Sequence, residues 1–297
     1  GGWPGVPAIR SSHAGLVVPR LLVRGEEARG WFGELATTPL GAGLPATPVF
    51  RAGWTDDRRD DRSLLVEAFR EPVTDSVLSW IGLDDPGAPG AWGRVVRLGV
   101  RGALRRRVAG RWTVTAGMRA ARLSGHGVAS NDEIAASLEA QRPLPMPRSW
   151  WAVAGPELRV MRYARNLGRF TRGHGGYFSP QRYLWAGIGA SAGRAPGPRL
   201  VVQARAALGW EAHRQEASPF LPLAPDGRMH PAGVRSGAAG TLEVRAVWRL
   251  AGRWQLGAAA AWRRSGDWTE QGATLTLRYV LGARAAVFPF DLPDAPL

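Results

Sequence analysis

The nine residues Thr241 to Arg249, TLEVRAVWR, alternate with a period of two. Leu242, Val244, Ala246 and Trp248 fall on one face, while Thr241, Glu243, Arg245 and Arg249 make up most of the other. Successive side chains of a strand point to opposite sides, so this spacing predicts a strand with one apolar and one polar face. Working outward, ATLTLRYVL repeats it, with Ala273, Leu275, Leu277, Tyr279 and Leu281 set against Thr274, Thr276 and Arg278. Upstream, Val202, Ala204, Ala206, Leu208 and Trp210 oppose Gln203, Arg205 and Glu211; Trp112, Val114, Ala116 and Met118 oppose Arg111, Thr113, Thr115 and Arg119. Val96, Leu98, Val100 and Leu104 likewise oppose Arg97, Arg101 and Arg105.

A soluble sandwich alternates too, so two further features decide between it and a membrane barrel, whose apolar face meets lipid and whose polar face meets a wet lumen. Trp112, Trp210, Trp248, Trp254 and Trp262 lie on or at the ends of apolar faces, as an aromatic girdle requires. The links also alternate in length. The short ones are 107–111, 142–149, 194–199 and 250–253; between them stand 81–91, 123–132, 166–182, 213–237 and 263–271, mostly longer. Short periplasmic turns alternating with long extracellular loops are the pattern of an outer-membrane barrel. The expected fold is therefore all-β, a transmembrane antiparallel barrel of about 14 to 16 strands. Strands are firm from Ser63 onward; before it GLVVPRLLVRG, GWFGELA and PVFRAGW are strands interrupted by proline. Residues 1–283 are expected to form the barrel and 284–297 a periplasmic tail, with Phe288 and Phe290 tucked against the lumen.

Composition narrows the alternatives. The chain has 297 residues, no cysteine and a net charge of +15, and all 39 of its basic residues are arginine. Disulfides, thiolate metal sites and cysteine catalysis are excluded. So basic a chain could bind phosphates, but the arginines follow the strand alternation instead of gathering in one patch, which argues against nucleic acid. The opening GGWPGVPAIR has no charged-then-apolar leader and reads as the start of a processed or cut-out domain. No run approaches the roughly 18 apolar residues of a membrane helix.

One stretch fits neither helix nor strand: GHGGYFSPQRY, residues 173–183. It closely resembles a motif in the C-terminal domain of the cellulose synthase outer-membrane subunit, the export porin of bacterial cellulose secretion. EPVTDSVLSWIGLDDPGAPGAWGRVVRLGVRG (71–102) resembles the same family's Pro-Val-Thr-Asp-Ser strand and its loop, and GVASNDEIAASLEA (127–140) is a weaker match. The likeness covers residues 63–282. It implies a sixteen-stranded porin in the Gram-negative outer membrane that passes a glucan, most simply cellulose. It further implies a periplasmic tetratricopeptide solenoid and an inner-membrane synthase as partners; no 34-residue helical repeat occurs in this chain.

Candidate site residues follow. On the polar faces, Arg97, Arg101, Arg119, Gln203, Arg205, Glu211, Glu243, Arg245, Gln255 and Arg278 offer donors and acceptors to glucan hydroxyls. The competing reading is solvation and ion pairing with Glu139, Glu157, Glu211 and Glu243. In the exit loop, Gly173, His174, Gly175, Gly176, Tyr177, Phe178, Ser179, Pro180 and Gln181 combine backbone freedom, one fixed bend and flat apolar rings. This suits a hinged cover with Tyr177 or Phe178 over the lumen; the plainer alternative is a loop that braces the rim. Ser179 and His174 form a nucleophile-base pair only if held within bonding reach, and no orienting third residue is identifiable. His13, His126, His174, His213 and His230 lack metal-ligand spacing and read as surface residues. No cofactor and no reaction are expected; a lipase- or esterase-type barrel enzyme and a soluble basic β protein that binds polyanions are the rival readings.

Overall fold

The computed structural model describes residues 18–24, 29–59, 61–84, 90–108, 110–265, 268–281 and 286–293. In chain order the strands are β1 (Arg20–Arg24), β2 (Arg29–Thr37), β3 (Pro48–Arg59), β4 (Arg62–Pro72), β5 (Leu83–Asp84), β6 (Ala91–Arg107), β7 (Thr113–His126) and β8 (Val128–Pro143). They continue as β9 (Trp150–Tyr163), β10 (Arg182–Gly197), β11 (Leu200–Gln215), β12 (Ser218–Pro219), β13 (Met229–His230), β14 (Gly233–Arg249), β15 (Trp254–Ser265) and β16 (Trp268–Tyr279). One helical turn, α1 (Val77–Trp80), lies between β4 and β5.

Β1, β2, β3, β4, β6, β7, β8, β9, β10, β11, β14, β15 and β16 pair in that order as one antiparallel meander; β5 lies beside β6, and β12 and β13 form a separate small hairpin. Of the three stretches read before Ser63, Arg20–Arg24, 30–36 and 48–54 are strands of the wall, with Pro48 at the first position of β3, where its missing donor is tolerated. The connections β3–β4, β6–β7, β8–β9, β10–β11 and β14–β15 are all short and lie at one end of the sheet, here the turn end; the links 38–47, 73–90, 164–181 and 216–232 lie at the other, the loop end, together with the short β7–β8 and β15–β16 connections.

The period-two reading holds residue by residue. Leu208 is 74% exposed, Leu275 77% and Met118 68%, whereas Glu67, Glu133 and Glu157 on the opposite face are at most 3% exposed. This inverts a soluble protein: the outward face is apolar and the inward face carries the charge. Trp31, Trp112, Trp150, Trp248, Trp254 and Tyr279 form an exposed aromatic belt toward the turn end, and Trp210 and Trp262 lie toward the loop end.

Four expectations are corrected. Segment 123–132 is no loop, because β7 and β8 run on to a one-residue link at Gly127, whose φ of +60° makes the tight reversal possible. Segment 263–271 is likewise mostly strand, with Ser265 opposite Trp268. Pro-Val-Thr-Asp-Ser is not strand beyond Pro72: the chain turns inward and Ser76 caps α1, its side chain accepting from the Ser79 amide at 3.1 Å. Finally, the tail folds back inside the turn end on Val287 and Leu292, which cluster with Val201 and Val247, while Phe288 is 44% exposed. The Phe290 side chain lies outside the described residues.

Candidate functional site

The inward face is a band of ion pairs built by register. Cross-strand partners point the same way, so Glu67 opposite Arg101 and Glu71 opposite Arg97 on β4 and β6 meet directly. Arg101 reaches Glu67 at 2.6 Å and Glu71 at 3.2 Å; Arg51 reaches Glu67 at 2.8 Å; Arg97 reaches Glu133 at 2.7 Å and donates to the Tyr163 hydroxyl at 3.3 Å. Arg119 also pairs with Glu133. Farther round, Arg205 bridges Glu139 (2.9 Å) and Glu157 (2.6 Å), and Arg159 shares Glu157 at 2.7 Å. Arg245 pairs with Glu243 at 2.6 Å and donates to Gln203 at 2.8 Å, which in turn donates to Ser191 at 3.0 Å. Arg278 reaches Asp291 of the tail at 3.5 Å.

All ten candidate residues lie on the inward face, and their arginines are paired: with Glu139, Glu157 and Glu243, which the competing reading named, and with Glu67, Glu71, Glu133 and Asp291, which it did not. Glu211 has partners of another kind: Tyr183 and Ser265 donate to it at 3.1 and 2.7 Å, and His213 lies 3.4 Å away. Gln255 is 2% exposed and stands opposite Arg278. Pairing compensates each charge and still leaves donors, since a guanidinium carries five N–H groups.

At the loop end, residues of the links 73–90 and 164–181 pack into a buried layer. Tyr177 is 1% exposed, in a cluster with Val73, Leu78, Trp92, Val95, Leu123 and Tyr163 drawn from β6, β7, β9 and the link 73–90. Asn131 of β8 pins it: its side-chain amide donates to the Tyr177 hydroxyl (3.1 Å) and to the Arg165 carbonyl (2.8 Å), and its oxygen accepts from the Arg165 amide (2.9 Å). Asn131 was missed as a site residue; only the weakly matching segment 127–140 marked it. Gly175 and Gly176 donate to the Leu167 carbonyl at 3.0 and 3.2 Å, and a Cβ on Gly175 would stand 2.4 Å from the Tyr177 ring. Pro180 accepts from the Tyr163 amide at 2.9 Å, and Gln181 accepts from the Glu216 amide at 2.7 Å.

A hinged cover carrying Tyr177 over the lumen is therefore replaced by a locked layer with Tyr177 inside it. Phe178 is the half-exposed ring. The Asp75 carboxylate holds its amide at 3.0 Å, and its ring meets the inward-facing Tyr183 and His213 edge-on, with centroids 5.8 and 5.0 Å apart.

His174 is fully buried, not a surface residue: Nε2 donates to the Pro219 carbonyl at 2.8 Å, and the ring meets His230 edge-on at 5.3 Å. Burial depresses both imidazoles below the usual histidine range, and Arg169 lowers them further. Ser179 instead accepts from the Leu167 amide at 2.8 Å and donates to the Tyr177 carbonyl at 3.3 Å. The two side chains serve different partners and make no nucleophile-base pair. His13 lies outside the described residues, and no cluster of metal-ligating side chains occurs among the described ones.

A meander with an apolar outer face, an ion-paired inner face and one end packed with loops defines an outer-membrane barrel. The fold matches that of a bacterial polysaccharide outer membrane secretin, with a TM-score of 0.51 at 13% identity over 88% of this chain and 78% of that one. The chain belongs to the family described as cellulose synthase operon protein C C-terminus, whose profile matches residues 21–282, so the family region begins well before Ser63. Relatives include cellulose synthase operon protein C of Xanthomonas axonopodis pv. citri (strain 306), 29% identical over 277 residues, 85% of this chain and 18% of that protein. Another is cellulose synthase 2 operon protein C of Komagataeibacter xylinus, 32% identical over 266 residues, 84% of this chain and 20% of that protein. The chain spans about a fifth of the length of these relatives.

Proposed function

We propose that the protein is an outer-membrane conduit through which a neutral polysaccharide, cellulose in the simplest case, leaves a Gram-negative cell. The observation that carries this reading is the inward band in which Arg97, Arg101, Arg119, Arg205 and Arg245 are each matched by a carboxylate. Such a wall attracts no counter-ion strongly, yet offers hydroxyls many weak hydrogen bonds. Conduction requires sites of that kind, because tight binding would stop the polymer. An uncharged glucan gains nothing from a transmembrane potential, so the thrust comes from polymerisation at an inner-membrane synthase. A periplasmic solenoid, implied by the family resemblance, delivers the chain to the turn end on this reading.

Phe178 over Tyr183 and His213 supplies an apolar face at the exit on which a sugar ring can stack. The protein does no chemistry on this reading: Ser179 and His174 are buried and spent on backbone partners. The broad apolar outer face, Leu208 and Leu275 included, counts against a soluble polyanion binder.

Liposomes loaded with cellohexaose and containing the folded protein test the reading by efflux. Release faster than from protein-free liposomes, and slowed when Arg205→Ala and Arg245→Ala are combined, is expected. Retention of the sugar by liposomes with correctly folded protein refutes the conduit.

A further inference from the structure

Arg94 is a buried arginine of β6 whose guanidinium is only partly satisfied. It is 4% exposed and sits at a bulge between β6 and β7 with a φ of +45°, a strained value for a residue other than glycine. One terminal nitrogen donates to the hydroxyl of the fully buried Thr38 at 2.9 Å. Its Nε and Nη2 have no partner among the described residues. Those two N–H groups form the side-on fork of a guanidinium, the edge that grips two oxygens of one anion.

Arg94 lines a pocket of about 290 Å³ together with Arg70, Thr47, Ser124 and His126. Arg70 stands opposite Phe50 and Leu98, which are 37% and 51% exposed, and Val96 stands opposite Ser124; the pocket therefore opens on the outward face near the loop end. Leaving a buried guanidinium edge unsatisfied is costly, and a second guanidinium and an imidazole beside it favour a doubly charged occupant.

We propose that this pocket binds a phosphate monoester, gripped by the Arg94 fork and neutralised by Arg94 and Arg70, with His126, Thr47 and Ser124 donating to the remaining oxygens. The same chemistry is offered by free phosphate and, resting on the proposed outer-membrane reading, by the phosphorylated glycolipid of an outer leaflet.

Native mass spectrometry of the folded chain in detergent separates the sources, with lipid A, fully dephosphorylated lipid A and inorganic phosphate as the three probes. Lipid A retained by the wild type, not retained once dephosphorylated, and weakened at least about tenfold by Arg94→Gln supports a lipid-borne phosphate. Inorganic phosphate bound with the same dependence on Arg94, lipid A being ignored, supports the free anion. Binding of neither probe by the wild type, or equal binding by wild type and folded Arg94→Gln, overturns the proposal. Should Arg94→Gln fail to fold, the half-buried Arg70→Gln decides, and undiminished binding by that variant overturns it equally.

Discussion

At the scale of single residues, the exit motif is a set of backbone bonds organised around Asn131 and Tyr177. Asn131 is 2% exposed, and its side-chain amide makes three bonds to two loop residues, Arg165 and Tyr177. Asn131→Ala should loosen the layer by roughly 1 kcal/mol for each bond lost. Faster limited proteolysis within 164–181, with the strands still resistant to heat, is the expected result. That GHGGYFSPQRY forms neither helix nor strand was legible from its glycines and proline. Which of its rings turned inward was not, because the groups that bury Tyr177 come from Asn131, Val95 and Leu123, far away in sequence.

His174 and His230 give the same layer a pH dependence. Both imidazoles sit below their unfolded value of about 6.5, so the loosened loop binds more protons than the packed one. The contribution is complete above about pH 6.5 and is lost as pH falls through the depressed folded values. Amide exchange of Gly173 to Ser179, corrected for its intrinsic rate, should show protection falling between pH 7.5 and about 5, and falling less in His230→Gln. Constant protection over that range would exclude a role for the histidines.

At the scale of elements, alternation was legible wherever one face meets lipid and the other meets the lumen, as in β14. It failed where strands run past the apolar belt. The upper ends of β7 and β8 carry Ser124, His126, Ser130, Asn131 and Asp132, polar on both faces, so paired strand looked like loop. The facing itself is tested by neighbours on β14. Val244 is 43% exposed outward, whereas Arg245 is paired inward with Glu243. A charge at the middle of the lipid face costs a barrel about 2 to 4 kcal/mol, so Val244→Arg should impair folding from urea into vesicles while Arg245→Val is tolerated. Sidedness follows from the same meander. Cysteines at the exposed His126 and Pro225 should react with an impermeant thiol reagent on intact cells, and one at Gly252 should not. The reverse order of labelling would turn the barrel over.

At the scale of the whole molecule, the wall is a lipid-facing shell around a self-compensated polar interior, narrowed at one end by the 164–181 layer and lined at the other by Val287 and Leu292 of the tail. Its family was legible from two segments, yet the ion-pair band was visible only as alternation, since partners such as Arg205 and Glu139 lie on strands separated by two others. The central claim is that this interior conducts a neutral glucan. Single-channel recording of the reconstituted chain with cello-oligosaccharides added at the turn end tests it most directly. The account predicts discrete openings, brief current interruptions that lengthen with oligomer length, and shorter interruptions in Phe178→Ala. Folded protein that forms no channel, or a channel whose current is indifferent to the oligosaccharides, would contradict it.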